Sequence, residues 1–320
     1  MLRRVFRFGM QIPWIRRGTV PPAAIFEHLA GACTLAERSG FDSLWAMDHV
    51  LIGDPADPDP IPEAYTLLGA IAARTERVRL GTLVAGVTFR NPALLAKTVT
   101  TLDMISGGRA MLGIGAANNP DEHRRYGLEF PALGERLDRL EDALAIAREM
   151  FTSDDPRHHG RRHSIDGAFN RPAPLNGTIP IVVGGNGERR TLRLAAQYGD
   201  ACNLTVGDPR EIRVKLAALA GHCESIGRDP ASIAKTRAAS LVIDPSAARA
   251  AAVAENLRAA IGMEHERFAH YAIVGTPEQA CERIDVAFEA GLDGFVFNIP
   301  DELGTDGIEL AGTTLRDAFG

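Results

Sequence analysis

Along nearly the whole chain, short apolar stretches alternate with longer segments of helical period, which confines the fold to an α/β class with a parallel sheet. Residues 5–12 alternate apolar and polar positions and read as a strand. Residues 23–39 carry Ile25, Leu29, Ala32 and Ala36 at helical spacing and stop before Gly40. Further strands are predicted at 43–47, 78–87, 109–115, 179–183, 200–204, 236–243 and 294–298. Helices at 63–75 and 92–106 fall between them, the second with Pro92 in its first turn. The best-marked helix aligns Leu137, Leu140, Leu144, Ala147 and Phe151 on one stripe and pairs Glu135 with Arg139 on another face. Asp208-Pro209-Arg210-Glu211 and Thr276-Pro277-Glu278-Gln279 are capping sequences that open two more helices. Segments 188–198, 247–260 and 308–319 complete the helical set.

Eight strand-then-helix units predict a (β/α)8 TIM barrel in a single domain, residues 1–320. Such a barrel needs about 250 residues. The surplus is expected as two insertions: a polar excursion at 152–175 before strand five, read as a hairpin, and 245–275 between strands seven and eight. A doubly wound parallel sheet shows the same alternation and stays open as the alternative.

Composition narrows the partners. Lys plus Arg is 35 against 41 Asp plus Glu, a net charge of −6. No broad phosphate-seeking surface fits that balance, so nucleic acid is not an expected partner. No stretch approaches the roughly 18 apolar residues of a membrane span, and the first residues lack an apolar signal core. A cytoplasmic protein is the expectation. Cys33, Cys202, Cys223 and Cys281 are scattered in apolar runs and read as buried hydrophobes. His158, His159 and His163 have no carboxylate or cysteine at ligand spacing, so with Arg157, Arg161 and Arg162 they read as a solvated basic loop and no metal is expected.

In a barrel, chemistry belongs at the C-terminal ends of the strands. Strand two ends in Asp48-His49, where a carboxylate can hold an imidazole in one tautomer for proton transfer; a capping Asp beside a loop His is the plain alternative. Gly86 near the end of strand three permits a close backbone approach, though alone it is only a weak spot in a strand. Strand four leads through Gly113-Ile114-Gly115 into Asn118-Asn119, a poor dinucleotide fingerprint because its third glycine is missing. Strand five runs through Gly184, Gly185 and Gly187 into a helix start bearing Arg189 and Arg190. That pattern is read as a phosphate cradle ahead of a plain tight turn.

These features, with Arg90-Asn91-Pro92, Leu102-Asp103, the run Ile105-Ser106-Gly107-Gly108-Arg109 and Leu112 to Gly115, resemble the luciferase-like monooxygenase superfamily, over residues 7 to about 298. Within it the chain is most similar to the branch that uses the 5-deazaflavin coenzyme F420. The resemblance implies a TIM barrel and hydride transfer between the deazaflavin and a small organic substrate. It implies that His49 lies at the reactive carbon and that Asp48 and Asn119 contact the cofactor. It further implies a non-proline cis peptide at Gly86-Val87 pressing on the ring, and a phosphate loop at Gly184, Gly185 and Gly187. Some members carry a glutamate acid just after strand four, where this chain has Ala116. Relatives imply a homodimer. Two other readings are weighed: an FMN-dependent monooxygenase fed by a partner flavin reductase, and a non-catalytic flavin or deazaflavin carrier.

Overall fold

The computed structural model describes residues 7–54 and 56–320. All eight expected strands are present: β1 (Phe8–Gln11), β2 (Ser43–Ala46), β3 (Arg79–Thr82), β4 (Leu112–Gly115), β5 (Ile181–Gly184), β6 (Ala201–Leu204), β7 (Ala234–Ile243) and β8 (Gly294–Asn298). Of the strand expected at 5–12, Val5 and Phe6 lie outside the described residues. The helices are α1 (Ile25–Ser39), α2 (Ala64–Ala72), α3 (Pro92–Ser106), α4 (Pro120–Arg125), α5 (Leu133–Thr152), α6 (Thr191–Tyr198), α7 (Pro209–Ser225), α8 (Ala247–Ala260), α9 (His265–Tyr271), α10 (Pro277–Glu289) and α11 (Gly304–Phe319). Among the described residues no helix is long and apolar enough to cross a membrane.

The chain divides into two compact units, and the division runs through β2, β6 and α7. In the first unit (7–45, 203–217 and 234–320 of the described residues), β1 lies parallel to β8 on one side and to β2 on the other. β7 continues the ladder beyond β8, Thr236 opposite Gly294 through Ser240 opposite Asn298. Parallel strands covered on both faces need continuous apolar side chains, and Met10, Leu44, Phe295 and Phe297 are fully buried here. Phe295 stacks on Phe297 at 4.9 Å, and Phe8 is stacked 6.3 Å from Phe297. The 245–275 insertion holds α8 and α9 and, unexpectedly, a strand, Ala272–Gly275, paired in parallel with the end of β7. Both capping sequences act as read: Asp208 accepts the N–H groups of Arg210 and Glu211, and Thr276 with Gln279 forms a reciprocal capping box.

The second unit (46–202 and 218–233, Pro55 excepted) holds β3, β4 and β5, with β4 parallel to β5. The apolar stripe of α5 is buried throughout, and Glu135 pairs with Arg139 at 2.8 Å. The excursion before β5 is the expected hairpin, Arg157–His159 against Ser164–Asp166. Its turn is not merely solvated. Asp142 of α5 accepts the N–H groups of Arg161, Arg162 and His163 at 3.2, 2.6 and 2.9 Å, which pins the turn to the helix. The Ser106 to Arg109 run is structural too. Arg109 donates to the carbonyls of Ala72, Thr75, Val78 and Ser106, filling the gap between α2, β3 and α3. Cys33, Cys202 and Cys223 are buried, as expected of small hydrophobes, whereas Cys281 is partly exposed.

Candidate functional site

Strand three is not continuous to Val87. β3 stops at Thr82, and a short strand, Ala85–Gly86, resumes beside the end of β4, with Ala85 opposite Ile114 and Gly86 opposite Gly115. Leu83 N–H donates to Ala46 O at 2.9 Å and Val87 N–H to Gly115 O at 3.0 Å. These bonds line up the C-terminal ends of β2, β3 and β4, and the pairing of β4 with β5 adds the end of β5, all in the second unit; the expected site residues follow directly after them.

The cis peptide belongs at Leu83-Val84, not at Gly86-Val87. Glycine's backbone freedom made Gly86 look like the special position, but its small size serves packing. A Cβ there would meet the Phe89 ring at 3.0 Å, and its N–H donates to Asp48 at 3.2 Å. Val87 is buried, whereas Leu83 and Val84 are partly exposed and form the open surface of this strand end. Val84 also explains two glycines. A Cβ on Gly115 would lie 2.8 Å from Val84 Cγ2, and one on Gly184 would lie 2.7 Å from Val84 Cγ1. Side chains at those two positions would overlap Val84, a kind of overpacking that costs about 1–3 kcal/mol.

Asp48 and His49 are adjacent in sequence and separate in role. Asp48 is buried; its Oδ2 accepts the Gly86 N–H and Arg90 Nη1 at 2.7 Å. Burial pushes this carboxyl above its ordinary range, opposed by the Arg90 hydrogen bond and charge and by the Gly86 N–H. Arg90 also reaches Glu63 and lies 5.0 Å from the centroid of the Tyr65 ring. The Tyr65 hydroxyl meets Thr82 Oγ1, which donates to Gly113 O. Asp48 therefore anchors the loop after β2 to the loop before α3. It is not the group that orients the imidazole.

That group is Glu122, which the sequence reading passed over. His49 Nδ1 lies 3.0 Å from Glu122 Oε1, and Val50 N–H donates to Glu122 Oε2 at 3.1 Å. The Glu122 side chain is 2% exposed and the His49 side chain 35%. Glu122 sits in the first turn of α4, whose N-cap is Asn119: Asn119 Oδ1 accepts the N–H groups of Asp121 and Glu122. The residue expected to touch a cofactor through its amide thus spends its oxygen as a cap. The neighbouring His123 is fully buried, stacks on Phe89 at 4.7 Å, and bonds Asn119 O and Thr88 Oγ1, both at 2.6 Å. The sequence Asn119-Pro120-Asp121-Glu122 is a helix-start signature, with an N-cap Asn, Pro at N1 and acids in the first turn. It could have shown the start of α4, a helix the sequence reading did not predict, although nothing in it marks His49 as the partner.

After β5, Gly185 has φ +129°, a conformation that suits glycine. A Cβ on Gly187 would meet Thr191 Oγ1 at 2.8 Å. α6 begins at Thr191, three residues later than expected, and no side chain caps it. Of the two arginines, Arg190 is turned to α5, pairing with Asp138 at 2.6 Å and donating to Gly134 O, while Arg189 is exposed. A glycine-rich turn leading into an uncapped helix start, with a free-standing cation, suits a phosphate group. The partly exposed Val84, set against glycines of β4 and β5, offers an apolar surface for a flat ring.

Known proteins resemble this chain along most of its length. Residues 6–271 match the family model described as luciferase-like monooxygenase. A 5,10-methylenetetrahydromethanopterin reductase from Methanolobus tindarius is 28% identical over 84% of this chain and 74% of its own. An F420-dependent glucose-6-phosphate dehydrogenase from Beutenbergia cavernae is 31% identical over 83% of this chain and 85% of its own. Among solved structures, an F420-dependent secondary alcohol dehydrogenase in complex with an F420–acetone adduct superposes on 98% of this chain and 99% of its own, with a TM-score of 0.84 at 21% identity. That likeness speaks for the fold, which is of the (β/α)8 TIM-barrel class expected from the alternation of strands and helices.

Proposed function

The chain belongs to the luciferase-like monooxygenase family, and from that premise we propose that it is a coenzyme F420-dependent oxidoreductase acting as one catalytic domain on a small alcohol or carbonyl compound. The observation that carries this reading is His49: a half-exposed imidazole at the C-terminal end of β2, with one ring nitrogen held by a buried carboxylate. A site built to exchange a hydride with an alcohol carbon needs such a group to hold the hydroxyl proton. Support for the cofactor comes from the F420-dependent relative at 31% identity and from the uncapped α6 start beside the glycine turn. When bound, a 5-deazaflavin supplies a carbon centre that accepts or donates a hydride and does not readily activate oxygen. The chain's own part is to hold the cofactor's phosphate at residues 184–191, to offer Val84 beneath a flat ring, and to receive the hydroxyl proton at His49 Nε2.

Incubating the protein with oxidised F420 and a panel of secondary alcohols and sugar phosphates tests the reading. Bleaching of the deazaflavin's visible absorbance in step with carbonyl formation is expected. Oxygen uptake driven by reduced FMN and a substrate, with F420 left unbleached, would point to the monooxygenase reading instead.

A further inference from the structure

We propose that Glu122 is the positioning residue of the site: it holds His49 in the Nδ1-protonated tautomer, so that Nε2 presents its lone pair to a substrate hydroxyl. The inference deepens the reading of His49 given above and rests on it for its kinetic consequence, but the tautomer itself does not depend on any cofactor.

Three hydrogen bonds from α4 converge on two residues of the loop after β2. Glu122 Oε1 faces His49 Nδ1 at 3.0 Å, Glu122 Oε2 accepts the Val50 N–H at 3.1 Å, and the Tyr126 hydroxyl donates to Val50 O at 2.8 Å. Tyr126 is the C-cap of α4, four residues after Glu122 and on the same side of the helix. Ring and backbone of the 49–50 segment are thereby fixed from the same helix. That helix is itself fastened by His123, wedged between Asn119 O and Thr88 Oγ1.

The Val50 N–H can only donate, so it commits Oε2 as an acceptor. His49 Nδ1 lies 3.0 Å from Oε1 and 3.3 Å from Oε2, so the ionised carboxylate can only accept the hydrogen on Nδ1. Among the described residues, no lysine or arginine pairs with Glu122, and its carboxylate oxygens meet the imidazole and the Val50 N–H. The hydrogen bond at one ring nitrogen sets the protonation of the other. Nε2 has no hydrogen-bond partner among the described residues, and the ring is the half-exposed member of the pair. The proton bookkeeping is then closed. For an alcohol whose carbon would lose its hydride to a bound deazaflavin, Nε2 would take the hydroxyl proton as the O–H bond breaks. The C–O bond becomes a carbonyl, and the imidazolium shares its charge with Glu122. Run in reverse, the same nitrogen returns the proton. Ala116 is then no deficiency, because His49 Nε2 returns the proton itself, with Glu122 of α4 behind the ring.

A glutamine in place of Glu122 keeps the shape but replaces one of the two acceptor oxygens that face the Nδ1 hydrogen and the Val50 N–H with an N–H donor. The test begins on the chain without cofactor, labelled with 15N-histidine. Long-range nitrogen–proton spectra report the tautomer of each of the nine histidines, and His49 is assigned by its absence in His49→Gln. The expected result is an Nδ1-protonated His49 in the parent that shifts toward the Nε2-protonated form in Glu122→Gln. An Nε2-protonated ring in the parent overturns the proposal, even if the variant does not fold. An unchanged ratio in a folded variant overturns it as well.

Turnover is the second readout. Glu122→Gln should lose about 10- to 100-fold in kcat, the range seen when a histidine's orienting carboxylate is removed, with KM and F420 affinity little changed. In a His49→Ala background the same substitution should be silent, because residues that act through one another are not additive. A loss as large in that background as in the parent would assign Glu122 a structural role only. If the parent fails to use F420 at all, the functional reading fails while the spectra still decide the tautomer.

Discussion

Replacing His49 with alanine is expected to lower kcat by about 10²- to 10⁴-fold, the usual contribution of a positioned proton-transfer group, while F420 affinity changes by less than about threefold. The separation follows from geometry. The His49 side chain hydrogen-bonds only to Glu122 among the described residues, whereas the candidate phosphate turn and Val84 are built from β3 to α6 and share no hydrogen bond with it. Deleting the imidazole therefore removes the hydroxyl's proton acceptor without disturbing the surfaces proposed to hold the cofactor. Paired measurements of turnover and of cofactor affinity by fluorescence check it. Binding lost with turnover per bound cofactor unchanged would contradict the assignment and make His49 a cofactor ligand. Unchanged turnover would make it a loop residue.

Arg90→Met should cost about 3 kcal/mol of unfolding free energy near pH 8, because removing one partner of a buried ion pair strands the other. The Asp48 side chain is 2% exposed and the Arg90 side chain 21%. Burial already holds the Asp48 carboxyl above its ordinary range, against the pull of Arg90 and the Gly86 N–H. With Arg90 gone, burial acts with less opposition and the folded-state pKa rises further. A carboxyl whose folded pKa lies above its unfolded value favours the folded state at low pH and loses that advantage as pH rises through the folded pKa. The deficit of the variant is accordingly widest near pH 8 and narrows on acidification toward about pH 5. Urea melts across that range test the sign: a deficit that stays constant or widens on acidification would mean that Asp48 is not the stranded group.

The frame of the molecule is written locally, and that is why it could be read. The predicted bounds of β8, α3 and α8 match the structure, because each is set by its own residues: Asn91 and Pro92 start α3, Gly107 in a left-handed turn ends it, and Ser246 caps α8. Eight strands followed from period alone. Much of the site did not, since its decisive contacts join distant positions. His49 and Glu122 are 73 residues apart, and the carboxylate of Glu122 serves both a ring nitrogen and a backbone N–H. Spacing cannot show that. Adjacency in the sequence also misled, since Asp48 beside His49 suggested a pair that the fold breaks up by giving Asp48 to Arg90. Glycines were legible as constraints but not in their cause. Gly184 reads as a phosphate-loop residue, and it is also the space that Val84 occupies. Arg190 reads as a cation for a ligand and is instead bound to Asp138.

The central claim is that this barrel takes a deazaflavin rather than a flavin. Titrating the purified protein with oxidised F420 and, separately, with FMN, following fluorescence, tests it most directly. Saturable F420 binding with FMN at least tenfold weaker is the expected result, about 1.4 kcal/mol in favour of the deazaflavin. Tight FMN binding with F420 weak or absent would contradict the account and make the protein a flavin enzyme in need of a reductase.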